Sequence, residues 1–246
     1  MADYCLTIYH LFPDLLNLYG DKGNILVLQK RCEWRGIKTN VRYMCENDIP
    51  DFDGVDIALL GGGSDREQLL VSKYSNIVSK PLKEYVENGG VLLAVCAGYQ
   101  LLGNFYEADG KKIECFKVLD MDTTAGDRRL IGNLAVRANL GGKEVTLAGF
   151  ENHGGRTNVK SNPHLGKVIC GFGDDGSGVY EGVHYKNVTA TYMHGPILPK
   201  NPELADYLIE TALKRKYKDF KGGLPELDDK YEQLAKNFLI NEKNKS

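Results

Sequence analysis

The sequence has no excess of charge of either sign: 31 basic side chains stand against 33 acidic ones in 246 residues. That balance gives no global field for holding nucleic acid or an anionic membrane surface. The one basic run, "LKRKYK" at 213–218, closes a predicted helix, where cations meet the carbonyl end of the dipole. No apolar stretch approaches the roughly 20 residues a membrane-spanning helix needs, so the chain is not expected to be an integral membrane protein. The opening "MADYCLTIYHLF" has neither a basic start nor a small-residue cleavage site, and a cytoplasmic location is expected. Cysteines at 5, 32, 45, 96, 115 and 170 form no CxxC pair, which argues for reduced thiols rather than a disulfide framework or zinc site. HExxH and EF-hand patterns are missing too, so no metal and no cofactor is expected. A Walker-type GxxxxGKS/T is also lacking, so nucleotide phosphates have no recognisable cradle.

What is present alternates. Short apolar runs at 5–12, 38–44, 55–60 and 91–95 read as strands, with a helix from Asn24 and another long helical stretch from Asp65 to Asn88, interrupted around Lys80-Pro81. Strand alternating with helix predicts an α/β fold: a mostly parallel central sheet flanked by helices, flavodoxin-like. After about Glu107 glycines multiply, and "RLIGNLAVRANL", "KEVTLAGF", "KVICGF", "GVHYKN" and "VTATYM" read as an antiparallel extension in the second half. Helices return at 201–217 and in the polar segment beyond "KGGLPE". A single domain over 1–246 with a C-terminal helical appendage at about 222–246 is expected.

The stretch "VLLAVCAGYQLLG" sets Cys96 between a buried strand and a predicted helix. A sharp strand-to-helix turn lifts such a side chain to the carboxyl edge of the sheet, and Ala97-Gly98 relieves the crowding of a strained backbone. With helix amides directed at the sulfur, a thiolate nucleophile is predicted, against the plainer reading of a core cysteine. Acyl transfer also needs oxyanion donors and a base. "ALLGGGSDREQ" puts Gly62 and Gly63 directly after a strand, where unshielded amides can approach the sulfur. Of five histidines, His194 in "TYMHGPIL" ends a strand that Gly-Pro forbids from continuing, and it is the candidate base. His153 in "GFENHGGRTN" sits in a loop-like stretch, lining a pocket or pinning a turn, with the turn preferred.

Taken together, "GGGSDREQ", "VLLAVCAGYQLLG", "GFENHGGRT" and "YMHGPILPKNPELAD" resemble the class I, triad-type glutamine amidotransferases of the cobyric-acid-synthase-like branch. The opening "YHLFPDLLNLYGDKGNILVLQKR" at 9–31 is similar to that of the glutaminase subunits of lipid II isoglutaminyl synthases. The resemblance implies the amidotransferase-like α/β fold, hydrolysis of L-glutamine through a thioester on Cys96 with His194 as base, and an oxyanion hole from Gly62 or Gly63 with the amide of Ala97. It also implies an arginine for the substrate carboxylate, Arg129 or its neighbour Arg128. The ammonia would pass to a separate ATP-dependent Mur-ligase-like subunit, forming a heterodimer that amidates lipid II. The residues after His194 are Gly195 and Pro196 rather than the family's His-x-Glu, so either a dyad suffices or an acidic residue comes from elsewhere in the fold or from a partner chain, the partner being the expectation. Supply to a different synthetase, or a silent regulatory subunit, are the alternatives.

Overall fold

A computed structural model of the chain describes residues 4–108 and 110–241. Its first half alternates as expected: β1 (Cys5–Leu11), α1 (Lys22–Glu33), β2 (Lys38–Met44), β3 (Ile57–Leu60), α2 (Asp65–Ser72), α3 (Ser75–Glu87) and β4 (Val91–Val95). β1 pairs in parallel with β2 and β3, and β3 with β4. Every residue of β3 and β4 is buried, as strands covered on both faces must be. The interruption between α2 and α3 falls at Lys73–Tyr74, and Pro81 stands inside α3. Tertiary contact decides the place: the Tyr74 ring packs 5.3 Å from that of Phe12 and its hydroxyl accepts the Asn47 N–H at 3.2 Å.

A five-residue helix, α4 (Ala97–Leu101), follows β4. Beyond it lie β5 (Phe105–Ala108), β6 (Lys111–Glu114), the long hairpin of β7 (Met121–Leu140) and β8 (Lys143–Val159), then β9 (His164–Cys170), β10 (Tyr180–Tyr185) and β11 (Val188–Thr191). The sheet order is β2-β1-β3-β4-β11-β10-β9-β7-β5-β6, with β8 on β7. The antiparallel extension is therefore real, but "VTATYM" belongs to both halves: β11 runs antiparallel to β10 and parallel to β4, completing the central sheet. "GFENHGGRTN" is strand, not loop, because β8 continues through it opposite β7 across an irregularity between Ala125 and Leu130.

One apolar cluster runs from Leu6 to Leu213. Around it, α5 (Pro202–Lys216) closes on α1 through Asp206, which accepts from Arg31 and Arg35 at 2.7 Å each. The appendage begins to be held there too, since Arg31 also reaches Asp229 at 2.6 Å. Its helix α6 (Lys230–Asn241) docks by inserting Lys236 against Glu203 at 2.7 Å and the Thr146 carbonyl at 3.2 Å. Residues 242–246 of the expected appendage lie outside the described residues.

Candidate active site

At Cys96 the chain leaves β4 with φ 53° and ψ −108°. A non-glycine residue held there costs on the order of 1–3 kcal/mol, so neighbouring bonds must impose it. The Cys96 N–H donates to Thr191 O at 2.8 Å, the Gln100 N–H to Cys96 O at 3.1 Å, and the Gly98 N–H to Gly61 O at 3.0 Å. A Cβ at Gly98 would lie 2.5 Å from Leu60 O, so only glycine lets the turn press against β3. The result is the predicted elbow, with the sulfur on the wall of a cavity of about 180 Å³ that Gly63, Gln100, Arg129 and His153 also line.

The predicted thiolate is corrected. Burial pushes the Cys96 thiol up to about 12, the Asp21 carboxylate adds to the rise, and the Ala97 N–H bonded to the sulfur and the Arg129 charge oppose it. Desolvation outweighs one turn of helix, so the resting sulfur carries its proton and needs a base to take it.

The glycine loop passes beside the elbow, with the Cβ position of Gly62 3.4 Å from the Cys96 Cβ. Both polar groups of Gly62 are spent: its N–H donates to Asp21 Oδ2 at 3.1 Å and its carbonyl accepts the Leu18 N–H at 3.0 Å. Gly63 takes part in neither bond and lines the cavity. Gly62 is thus the nearer of the two to the elbow, and Gly63 the one outside those two bonds. Asp21 is fully buried and its carboxyl is raised to about 6, by burial against the opposing backbone N–H groups. Nothing in the sequence marked it beyond an acid in the turn before α1.

His194 lies three residues past β11 and bridges to β8: its N–H donates to Phe150 O at 2.9 Å and its carbonyl accepts the Phe150 N–H at 3.3 Å. Gly195, at φ +85°, then turns the chain away. The ring is buried, stacked on Tyr19 with centroids 3.9 Å apart and met by the edge of Phe150 at 5.8 Å. Burial lowers its titration to about 4, with His153, Lys200 and Arg129 pushing the same way and the Asn152 backbone opposing. The imidazole is thus neutral at pH 7, the form a base requires. Neither ring nitrogen has a partner at full hydrogen-bond geometry among the described residues; the group near enough to favour its charged form is the Asn152 backbone, and no carboxylate orients it.

His153 does line the cavity, but its nitrogens are occupied: Nδ1 lies 2.9 Å from Gly155 O and Nε2 3.4 Å from Glu151 Oε2. Its ring stacks on Tyr192 at 3.6 Å. The two arginines separate cleanly. Arg129 borders the cavity and is steered by Asn152, whose Oδ1 accepts from its Nε at 2.7 Å. Arg128 instead turns its guanidinium over Phe172, 5.7 Å from the ring centre.

Residues 7–202 match the CobB/CobQ-like glutamine amidotransferase domain. The chain is 45% identical, over 98% of its length and 97% of the relative's, to "Lipid II isoglutaminyl synthase (glutamine-hydrolyzing) subunit GatD" of Staphylococcus aureus. The protein of the same name from Streptococcus pneumoniae is 42% identical over 87% of this chain and 83% of its own length. A "Probable cobyric acid synthase" of Methanococcus maripaludis is 33% identical over 72% of this chain, which spans 36% of that protein. A crystal structure described as a glutamine amidotransferase superposes with a TM-score of 0.54 over 83% of this chain and 98% of its own, at 14% identity, and supports the fold.

Proposed function

The chain belongs to the CobB/CobQ-like glutamine amidotransferase family, and from that premise we propose that it is a glutaminase subunit supplying ammonia to a separate synthetase. The observation that carries this reading is the Cys96 elbow opening on a cavity that Arg129 borders. His194 takes the thiol proton as the Cys96 sulfur attacks the side-chain carboxamide carbon of L-glutamine. The oxyanion forms against the amides of Gly63 and Ala97, with Gly62 joining when Asp21 releases it. When the C–N bond breaks, the proton returns from His194 to the departing nitrogen and ammonia leaves a glutamyl thioester. Water then attacks the thioester, His194 takes its proton and gives it to the leaving sulfur, and glutamate and the thiol are restored. Arg129 presents a guanidinium fork to the α-carboxylate. Loss of one oxyanion donor lowers the rate by ~10²–10³.

The near full-length likeness to subunits named for lipid II isoglutaminyl synthase supports the acceptor. We infer that the ammonia reaches a Mur-ligase-like, ATP-dependent partner in a heterodimer at the cytoplasmic face of the membrane. There it converts D-glutamate of lipid II to D-isoglutamine. Supply to a cobyric-acid-type synthetase is less well supported, because this chain spans only 36% of that relative. The isolated subunit is expected to be slow, since His194 has no acid and Gly62 is occupied. Glutamine hydrolysis by wild type and Cys96→Ala, each with and without the co-purified synthetase, tests the proposal. Wild type should be active and accelerated by the partner, Cys96→Ala inactive, and 6-diazo-5-oxo-norleucine should label Cys96. Equal rates for the two chains would refute it.

A further inference from the structure

Among the described residues no carboxylate bonds the His194 ring. Tyr19 lies nearly flat against its ring, 3.9 Å between centroids and 24° between planes. Tyr19 in turn is fixed. Its hydroxyl accepts the Asn152 side-chain N–H at 2.8 Å, and Asn152 Oδ1 accepts from Arg129 Nε at 2.7 Å. The turn that carries Tyr19 is anchored on both sides, by Leu18 N–H on Gly62 O at 3.0 Å and by Lys22 N–H on Asn17 Oδ1 at 2.9 Å. An unbroken line of contacts therefore joins the arginine, the asparagine, the tyrosine and the imidazole.

Resting on the reading of His194 as the base, we propose that Tyr19 is its positioning residue, fixing the plane of the imidazole by stacking, and that Asn152 makes Tyr19 and the substrate-binding Arg129 one unit. A stacked ring restricts rotation of the imidazole as a carboxylate hydrogen bond would, but brings no charge to stabilise the imidazolium. The ionisable groups that face His194 from the other elements agree with that: His153 of β8, Arg129 of β7 and Lys200 after the Gly-Pro turn all disfavour a second positive charge. Tyr19 also keeps water from one face of the ring. The arrangement gives a neutral base of fixed orientation, coupled to the group that grips the substrate.

The test compares full-length wild type with Tyr19→Phe, Tyr19→Leu and Tyr19→Ala, reading both glutamine kinetics and the NMR titration of the His194 imidazole. Tyr19→Phe keeps the flat ring, and its kcat should stay within about 3-fold of wild type while losing only the Asn152 tie. Tyr19→Leu keeps water away but cannot orient the ring, so kcat should fall about 10-fold or more with KM and the titration nearly unchanged. Tyr19→Ala should lose kcat as far and also move the His194 titration up by about one pH unit, because the ring becomes hydrated. Asn152→Ala should act chiefly on KM. Wild-type kcat in Tyr19→Leu, or a His194 titration in Tyr19→Ala that matches wild type, would overturn the proposal. A wild-type chain inert toward glutamine even with its synthetase would instead sink the glutaminase reading, and the titration would still decide the contact.

Discussion

The sulfur of Cys96 stands between two carboxyls, Asp21 and Glu181, that oppose its ionisation and two groups, the Ala97 N–H and Arg129, that favour it. Asp21 is the larger of the opposing two, and a substitution can neutralise it with its hydrogen bond kept, because an asparagine oxygen can still accept the Gly62 N–H. Asp21→Asn should lower the thiol's titration, on the order of one pH unit, since a carboxylate beside a thiol favours the protonated form. The effect has a sign in pH as well. Asp21 is raised to about 6, so below that value its charge is already gone and the variant should match wild type. Above it the variant's alkylation by iodoacetamide should run ahead. Coincident rate–pH curves up to pH 9 would mean that the carboxylate charge does not reach the sulfur.

In the elbow and the glycine loop beside it, the limit on bulk differs from one position to the next. A methyl at Gly98 would meet Leu60 O at 2.5 Å and Gly61 O at 2.8 Å, both backbone atoms of the neighbouring strand and loop, whereas one at Gly62 meets nothing closer than 3.4 Å. Gly98→Ala should therefore cost about 1–3 kcal/mol in thermal or denaturant melts and displace the sulfur. Such a misplacement lowers kcat/KM about 10²-fold. Gly62→Ala should melt like wild type. Equal melts for both would remove the close approach from the account. This element was legible because its cause is local: an apolar run, a small-residue pair and a glycine loop are written in sequence. The break at Tyr74 was not, being set by contact with Phe12, and neither was the parallel partner of β11. Residues of a regular strand face alternate sides, but Arg128 and Arg129 fall within the irregularity between Ala125 and Leu130, so the sequence pattern could not tell which of them faces the cavity. The protonated state of Cys96 was hidden for a related reason, since burial and Asp21 reach it only through the assembled fold.

Over the whole molecule, burial acts on titratable groups in two opposed directions. Asp21 is raised to about 6, and the neighbouring buried carboxyls Asp174 and Glu181 are raised as well, with burial the largest cause in each. His10 and His194 are lowered to about 4, again chiefly by burial. A carboxyl raised in the folded state stabilises the fold below its unfolded value, and that contribution disappears as pH rises through the folded value. A histidine lowered in the folded state does the reverse, contributing fully above about 6.5 and losing it as pH falls toward the folded value. Between about 4 and 6.5 Asp21 and the histidines offset each other, and ionising Glu181 adds a cost of the same sign as that of Asp21. Its Oε1 accepts the Tyr192 N–H at 2.7 Å and the Thr191 hydroxyl at 2.5 Å, its other oxygen is buried without a hydrogen-bond partner among the described residues, and the Asp174 carboxylate adds to the rise. Glutamine keeps an acceptor toward Thr191 and Tyr192 and removes the buried charge that Asp174 opposes. Glu181→Gln should accordingly melt close to wild type at pH 5 and above it at pH 8, by about 2–4 °C for each kcal/mol recovered. A melting difference that stays constant from pH 5 to pH 8 would show that Glu181 is ionised in the folded protein, and that the strand leading to His194 is pinned by a charge rather than by a neutral carboxyl.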